Sequence, residues 1–185
     1  SRNLMADLPR SVSYPLGLEW TDSMTPANNL PAGGTTPTLT AITTHISGMA
    51  YKVNDLGHFA IQLPHSCAPL SDLRIHCHFT FPSQPTAGRT VRWEVYYSVA
   101  DINGAFGAES AAQYGEYTIQ AADNKYHRVQ SICTATATAT PQSNAIIGRI
   151  RRVASTGVES DVSPVLLFVD CHFQQSAYGT KSEFA

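Results

Sequence analysis

From about His45 onward, apolar and polar residues alternate along the chain with a period of two. Residues 74–81 have the sequence Arg-Ile-His-Cys-His-Phe-Thr-Phe, and residues 91–99 have the sequence Val-Arg-Trp-Glu-Val-Tyr-Tyr-Ser-Val. Successive side chains of a β-strand point to opposite faces, so this pattern predicts strands with one buried face and one polar face. No convincing window has the i, i+3, i+4, i+7 apolar spacing of an amphipathic helix. The pattern therefore predicts an all-β body.

Three later segments continue the alternation, at residues 133–140, 145–153 and 165–174. Loops rich in Pro and Gly, such as residues 82–88, separate the candidate strands. Only Gly107–Ala112 suggests a helical turn. Roughly eight strands with irregular loops predict a single β-sandwich of the jelly-roll type.

The first 44 residues have a different composition. They hold five of the 11 prolines, together with an Asn-Asn and a Gly-Gly pair, and show little periodicity. We therefore predict two parts, an extended Pro/Gly-rich arm at residues 1–44 and a sandwich body at residues 45–185. Tyr14, Leu18 and Trp20 belong to an apolar stripe in the arm and are the candidate anchors that dock it on the body or on a neighbouring subunit.

Length and charge limit the function. A chain of 185 residues builds one core, and a charged fraction of 14% with a net charge of -2 disfavours nucleic acid as a partner. No apolar run approaches the roughly 20 residues that span a bilayer, and the first residues lack the apolar core of a signal peptide. We expect neither membrane binding nor export. A basic group at Arg149, Arg151 and Arg152 is interpreted as a solvated face or an inter-subunit ion pair, with phosphate binding as the alternative.

Motifs for catalysis and cofactors are absent from the sequence. There is no G-x-S-x-G elbow, P-loop, dinucleotide fingerprint or H-E-x-x-H, so we predict no catalytic residue and no cofactor. The four cysteines (67, 77, 133 and 171) form no C-x-x-C pair and are predicted to be buried free thiols. Cys67 has His65 nearby, but the pair is a weak candidate for a nucleophile and its base.

Histidines provide the one candidate cluster. If the strands at 74–81 and 165–174 are neighbours, His76, His78, Asp170 and His172 share a polar face. A His-x-His pair with a third histidine could bind a metal, as in a cupin-like metalloenzyme. The polar phase of two strands explains the same residues, and no Glu follows His78 where a cupin-like motif would place one. We therefore predict no metal, and a polar face or subunit interface whose histidines would change charge near pH 6.

Several short motifs carry a resemblance to a known family. They are listed here in chain order: Ile75-His-Cys-His-Phe79, Val91-Arg-Trp-Glu-Val-Tyr-Tyr97, Asp101-Ile-Asn-Gly-Ala-Phe-Gly107, Ile147-Gly-Arg-Ile-Arg151, Phe168-Val-Asp-Cys-His-Phe-Gln174 and Tyr178-Gly-Thr-Lys-Ser-Glu-Phe184. Over residues 70–184 the chain resembles small structural proteins encoded among the head and tail genes of tailed phages and prophages.

This resemblance implies a non-enzymatic virion component, made in the cytoplasm of the host bacterium. The first expectation is a capsid decoration (cement) protein on the head surface, a homotrimer whose partner is the phage major capsid protein. A neck or tail protein is the next choice. A host-glycan-binding fibre tip is a further alternative, which would use Tyr96 and the loop residues Tyr114, Tyr117 and Tyr126.

Overall fold

The computed structural model describes residues 19–25, 35–138, 141 and 143–175. These residues form ten β-strands and no helix, which confirms the all-β prediction. The strands are β1 (Glu19–Thr25), β2 (Thr38–Ala41), β3 (Ser47–Ala50), β4 (Leu56–Gln62), β5 (Asp72–Thr80), β6 (Thr90–Ala100), β7 (Gln113–Thr118), β8 (Arg128–Thr136), β9 (Ala145–Val153) and β10 (Val165–Gln175). Within the described ranges, no helix has the length and apolarity needed to cross a bilayer.

The strands form two antiparallel sheets that pack face to face. The larger sheet has the order β2-β3-β10-β5-β8, with β1 also paired to β10, and the smaller sheet has the order β4-β9-β6-β7. The layers β3-β10-β5-β8 and β4-β9-β6-β7 have the strand order of an eight-stranded jelly roll, so the predicted fold is confirmed. Two further strands from the first 44 residues, β1 and β2, extend the larger sheet.

The core lies between the sheets and is filled with aromatic side chains. Trp93, Phe79 and Phe81 are completely buried, and the Phe79 ring lies 5.9 Å from Trp93 and 5.7 Å from Phe81. Tyr51 packs edge-on against Trp93. Trp93, Phe79 and Phe81 come from the apolar phase of the alternation, as predicted, whereas Tyr51 follows β3 outside any predicted strand. Their packing fills the space between the two sheets.

The prediction of a helical turn at residues 107–112 is wrong. This segment has no regular structure and follows the edge of β6, where Gly107 N–H donates to the Val99 carbonyl and Ser110 N–H donates to the Tyr97 carbonyl. The Ser98 hydroxyl also donates to the Gly107 carbonyl. Hydrogen bonds to β6 thus take the place of the internal hydrogen bonds of a helix. A helix of six residues would be too short to be stable by itself.

Tyr114 and Tyr117 were predicted in a loop, and this too is wrong. Both lie in β7, where Tyr117 is half-buried against the core and Tyr114 is exposed on the outer face. Gly115 between them faces β8 so closely that an added Cβ would lie 2.4 Å from the Ser131 carbonyl oxygen. Tyr126 is in a loop and exposed, as predicted.

Candidate functional site

The predicted polar residues of two distant segments meet on the outer face of the larger sheet. β5 and β10 pair antiparallel, and Asp170 lies directly opposite His76. The structure brings His76, His78, Asp170 and His172 together, while the alternating residues Cys77, Phe79, Cys171 and Phe173 enter the core. The alternation of the two strands thus produces one polar and one apolar surface.

A bulge in β10 sets the phase of this site. The pairing of β10 with β5 shifts between Leu166 and Phe168. Leu166 belongs to the core before the bulge, and Val169 belongs to it afterwards. Since one extra residue reverses the faces of a strand, the bulge places Phe168 and Asp170 on the outer face.

Asp170 is the centre of the cluster. Its side chain is only 1% exposed, and its Oδ2 accepts hydrogen bonds from His78 Nε2 and His172 Nε2, each at 2.9 Å. Its Oδ1 lies 3.5 Å from His76 Nδ1. Neither Asp170 Oδ1 nor His76 Nδ1 makes a hydrogen bond of normal geometry with any described residue, although both atoms are buried.

The cluster favours an ionised carboxylate. Burial by itself would raise the pKa of Asp170, but the rings of His76 and His78, together with the charges of His78 and His172, hold that pKa well below its usual range. The rings of His76 and His172 meet edge-on, with their centroids 4.2 Å apart. The site is therefore a fixed anion surrounded by imidazole groups.

His127 belongs to the same cluster and was not identified from the sequence. Its Nε2 lies 2.7 Å from His78 Nδ1, so both ring nitrogens of His78 have a partner. Phe168 stacks on the His78 ring at 4.3 Å and fixes its plane. Burial, and then the nearby charge of His78, lower the pKa of His127. Together, these contacts form a histidine cluster of five residues: His76, His78, His127, Asp170 and His172.

A buried carboxylate positions the loop that carries His127. Asp123 is fully buried and accepts hydrogen bonds from the Tyr117 hydroxyl at 2.9 Å and from the Gln120 N–H at 2.8 Å. Arg128 Nε donates to the same carboxylate at 2.6 Å. These bonds close the connection between β7 and β8 and bring His127 back to β5. Only the tertiary structure reveals that His127 contacts His78, because His127 follows no regular pattern in the sequence.

The predicted arm anchors lie at the limits of the described structure. Tyr14 and Leu18 lie outside the described residues. Trp20 is in β1, where its backbone pairs with that of Gln174, and Asp22 pairs in the same way with His172. Residues 19–25 thus pair with β10 of the same chain, immediately beside the histidine cluster.

The three arginines have partners within the chain. Arg152 is 2% exposed, donates to the Tyr51 carbonyl at 2.8 Å and pairs with Glu159. Arg151 pairs at 2.7 Å with the buried carboxylate of Glu94, and Arg149 lies over the Tyr96 ring at 4.3 Å. The interpretation as a solvated face is wrong for Arg152, because its guanidinium group is needed inside the chain to bond a buried carbonyl.

The cysteines match their prediction as buried free thiols. All four are buried and none forms a disulfide. Burial raises the pKa of Cys67 to about 11, which disfavours the reactive thiolate. The nearby His65 ring is hydrogen-bonded to another residue, with its Nε2 2.7 Å from the Ser143 hydroxyl.

A second surface feature lies on the outer face of the smaller sheet. It is a shallow concavity of about 460 Å³ between the strands and the loop at residues 101–112. Its lining includes His58, Tyr96, Phe106, Glu109 and Arg149. It combines exposed aromatic surface with charged groups.

Comparison with known proteins identifies no family. No family model matches the chain, and no curated protein sequence matches it. Among solved structures, the enzymatically active domain of tailspike protein 4 from bacteriophage CBA120 is similar at 11% identity and a TM-score of 0.31. The match covers 84% of this chain but only 19% of that one. A likeness this weak transfers neither fold nor function.

Proposed function

We propose that the chain is a non-enzymatic structural component of a phage particle, specifically a decoration protein on the outer surface of the head. In this proposal it forms a homotrimer, binds the major capsid protein and clamps neighbouring capsomers. The motifs of residues 70–184 support the phage assignment, and the jelly roll is a fold that viral capsid proteins use. Fold alone does not define function, so the argument depends on a surface.

The observation that carries the proposal is the β2 end of the larger sheet, which no described strand covers. In β2, Leu39 pairs with Met49 and therefore lies on the same face of the sheet, the face by which Met49 packs against the core. Leu39 is nevertheless 69% exposed, and Ile46 in the β2–β3 turn is also exposed. No described strand pairs with the outer edge of β2. An edge strand with an exposed leucine is suited to pairing with another protein chain.

Head binding by matched leucine variants tests the proposal. Leu39→Glu puts a charge on the uncovered edge, whereas Leu70→Glu changes an equally exposed leucine (68%) in a loop. Native mass spectrometry and co-sedimentation with heads of the phage that encodes the chain should show trimers and binding for the wild type and Leu70→Glu, and neither for Leu39→Glu. Unchanged assembly and binding by Leu39→Glu would overturn the proposed interface.

The arm needs a separate test. Removal of residues 1–44 would delete β1 and β2 and expose the edge of β10, so loss of binding could reflect damage to the fold. A variant that lacks residues 1–18 removes Tyr14 and Leu18 but keeps both strands. If the arm clamps capsomers, this variant should form the same oligomer and bind heads more weakly; full binding would contradict the clamp.

A host-glycan-binding module is the second candidate, favoured by the concavity on the smaller sheet. Phe106 is exposed there beside Tyr96 and Arg149, and aromatic rings with nearby polar groups suit sugar binding. A multivalent form of the protein on a glycan array should bind specific glycans, and Phe106→Ser should abolish that binding. A silent array would reject this function.

The alternative of a cupin-like metalloenzyme is not favoured by the packing. A jelly roll that binds substrate between its sheets needs an internal cavity, whereas Trp93, Phe79 and Phe81 fill that space here. The histidine cluster lies on the opposite, outer face of the sheet. Any chemistry of the cluster would therefore take place outside the sandwich.

A further inference from the structure

We propose that His76, Asp170 and His172 form a binding site for one divalent transition-metal ion, best matched by zinc, on the outer face of the larger sheet. The site is independent of the proposed function. It would join β5 to β10 beside β1.

The donor set suits such an ion. Each of the three residues offers one ligand atom, and these atoms all lie within 4.8 Å of one another. Two imidazoles and one carboxylate are a common set for zinc and related metals, whereas magnesium and calcium prefer oxygen ligands alone. This donor set of three residues therefore favours zinc and related transition metals over magnesium and calcium.

Two of the ligand atoms are buried without a hydrogen bond. They are His76 Nδ1 and Asp170 Oδ1, whose side chains are 11% and 1% exposed. The two atoms approach each other at 3.5 Å, which is an ion-pair distance if His76 is protonated, but without the geometry of a hydrogen bond, and buried polar atoms without hydrogen bonds are unfavourable. A metal ion bound to both atoms would satisfy them at once.

Their separation is close to that of two ligands on one ion. Ligand atoms of a tetrahedral zinc site with bonds of about 2.0–2.1 Å stand about 3.3 Å apart. His76 Nδ1 and Asp170 Oδ1 are 3.5 Å apart. If Nε2 of His172 is the ligand, it gives up its hydrogen bond to Asp170 Oδ2, and the ring, which is 31% exposed, has room to turn.

The surrounding residues orient the carboxylate as they do in metal sites. His78 Nε2 and His172 Nε2 both bond to Oδ2 of Asp170, so Oδ1 is left for the ion. His78 is in turn held by His127 and by the stacked ring of Phe168. Such outer partners fix the direction of a ligand and strengthen metal binding. Three protein ligands also leave a coordination position for water or for a group from a neighbouring molecule.

A competing explanation is that protons alone fill the site. In that case one or more imidazoles are protonated, and Asp170 neutralises them through its hydrogen bonds. The two explanations differ in a direct way, because only the first predicts a stoichiometric metal complex.

Zinc titration of the full chain tests the proposal. The protein is prepared without an affinity tag, treated with a chelator and titrated with ZnCl₂ in a calorimeter. We expect one zinc per chain. His76→Ala and His172→Ala should each weaken binding by more than about 100-fold, and His78→Ala by about 10- to 100-fold, the usual effect of an outer partner. His45→Ala is the control, because His45 is exposed in the β2–β3 turn and should leave the affinity unchanged.

A second measurement uses only the wild-type protein, so it does not depend on the folding of variants. Cobalt(II) added to the chelator-treated chain should give visible d–d absorption that saturates at one equivalent and disappears when zinc is added. Absence of a saturable cobalt spectrum, or zinc binding that persists in both His76→Ala and His172→Ala, would overturn the site.

Discussion

His78 Nε2 lies 2.9 Å from Asp170 Oδ2, although the two residues are 92 positions apart in the chain. The bond crosses from β5 to β10 and ends on a carboxylate that is almost fully buried. It also links the outer loop to the sheet, because His78 bonds to His127 through its other ring nitrogen. The central strands of the larger sheet thus share one polar network on their outer face.

The network predicts a stability cost for Asp170→Asn. The amide keeps the size of the side chain and can still accept from His78 and His172 through one oxygen, but it removes the negative charge that strengthens both bonds. We expect the free energy of unfolding to fall by about 1 to 3 kcal/mol. The measurement is urea unfolding in the presence of a chelator, which excludes a contribution from bound metal.

The matched control for this variant is Asp72→Asn. Asp72 begins β5, the strand that pairs with β10, but its side chain is half exposed and lies 4.0 Å from Arg74. We expect a change within about 0.5 kcal/mol. Equal effects of the two substitutions would mean that the network does not stabilise the sheet.

Gly115 should tolerate no side chain. An added Cβ would lie 2.4 Å from the Ser131 carbonyl oxygen of β8, so Gly115→Ala must push the two sheets apart at this corner. We expect a loss of about 1 to 3 kcal/mol, measured by urea unfolding. Gly107→Ala is the control, because nothing lies within 4 Å of its added Cβ. A stable Gly115→Ala would show that β7 and β8 are not in close contact.

Arg152→Lys should destabilise the fold despite conserving the charge. The guanidinium group reaches the Tyr51 carbonyl and Glu159 at the same time. A lysine ammonium is a single point donor and cannot reproduce this fork, so we expect a loss of about 1 to 3 kcal/mol by thermal or urea unfolding. Arg74→Lys, at a half-exposed position, should change stability by less than about 0.5 kcal/mol and serves as the control.

The buried thiols predict slow modification and a pH effect of known sign. Burial raises the pKa of both Cys67 and Cys133 to about 11, whereas the pKa of a thiol in the unfolded chain is about 8.5. The folded state therefore keeps these protons, and their contribution to stability is complete below about pH 8.5 and lost as the pH rises toward 11. At pH 8, Ellman's reagent should react slowly with the native protein and rapidly with all four thiols in urea.

An exposed thiol provides the control for this reaction. Ser83→Cys places a cysteine in the exposed loop after β5, where it should react rapidly in the native state. Rapid reaction of the unmodified wild-type protein at pH 8 would contradict the burial of its cysteines.

The sequence predicted the faces of the strands well. Trp93 and Phe79 lie in the core and His76 and His172 on the outer face, as the period-two alternation required. The prediction from sequence failed at residues 107–114, where hydrogen bonds to β6 and the pairing of β7 with β6 determine the structure. Small residues such as Gly107 and Ala112 fit a helical turn and an extended loop equally well, and only contacts with other strands select between them.

The sequence by itself determined the class of the fold and the polar or apolar character of each strand face, because alternation is a local property of an extended backbone. Tertiary structure alone decided which strands are neighbours, where β10 changes phase, and that His127 joins His78 and Asp170. Pairing depends on contacts between residues far apart in the chain, and a shift of one residue reverses every face. The candidate metal site is therefore a property of the register between β5 and β10.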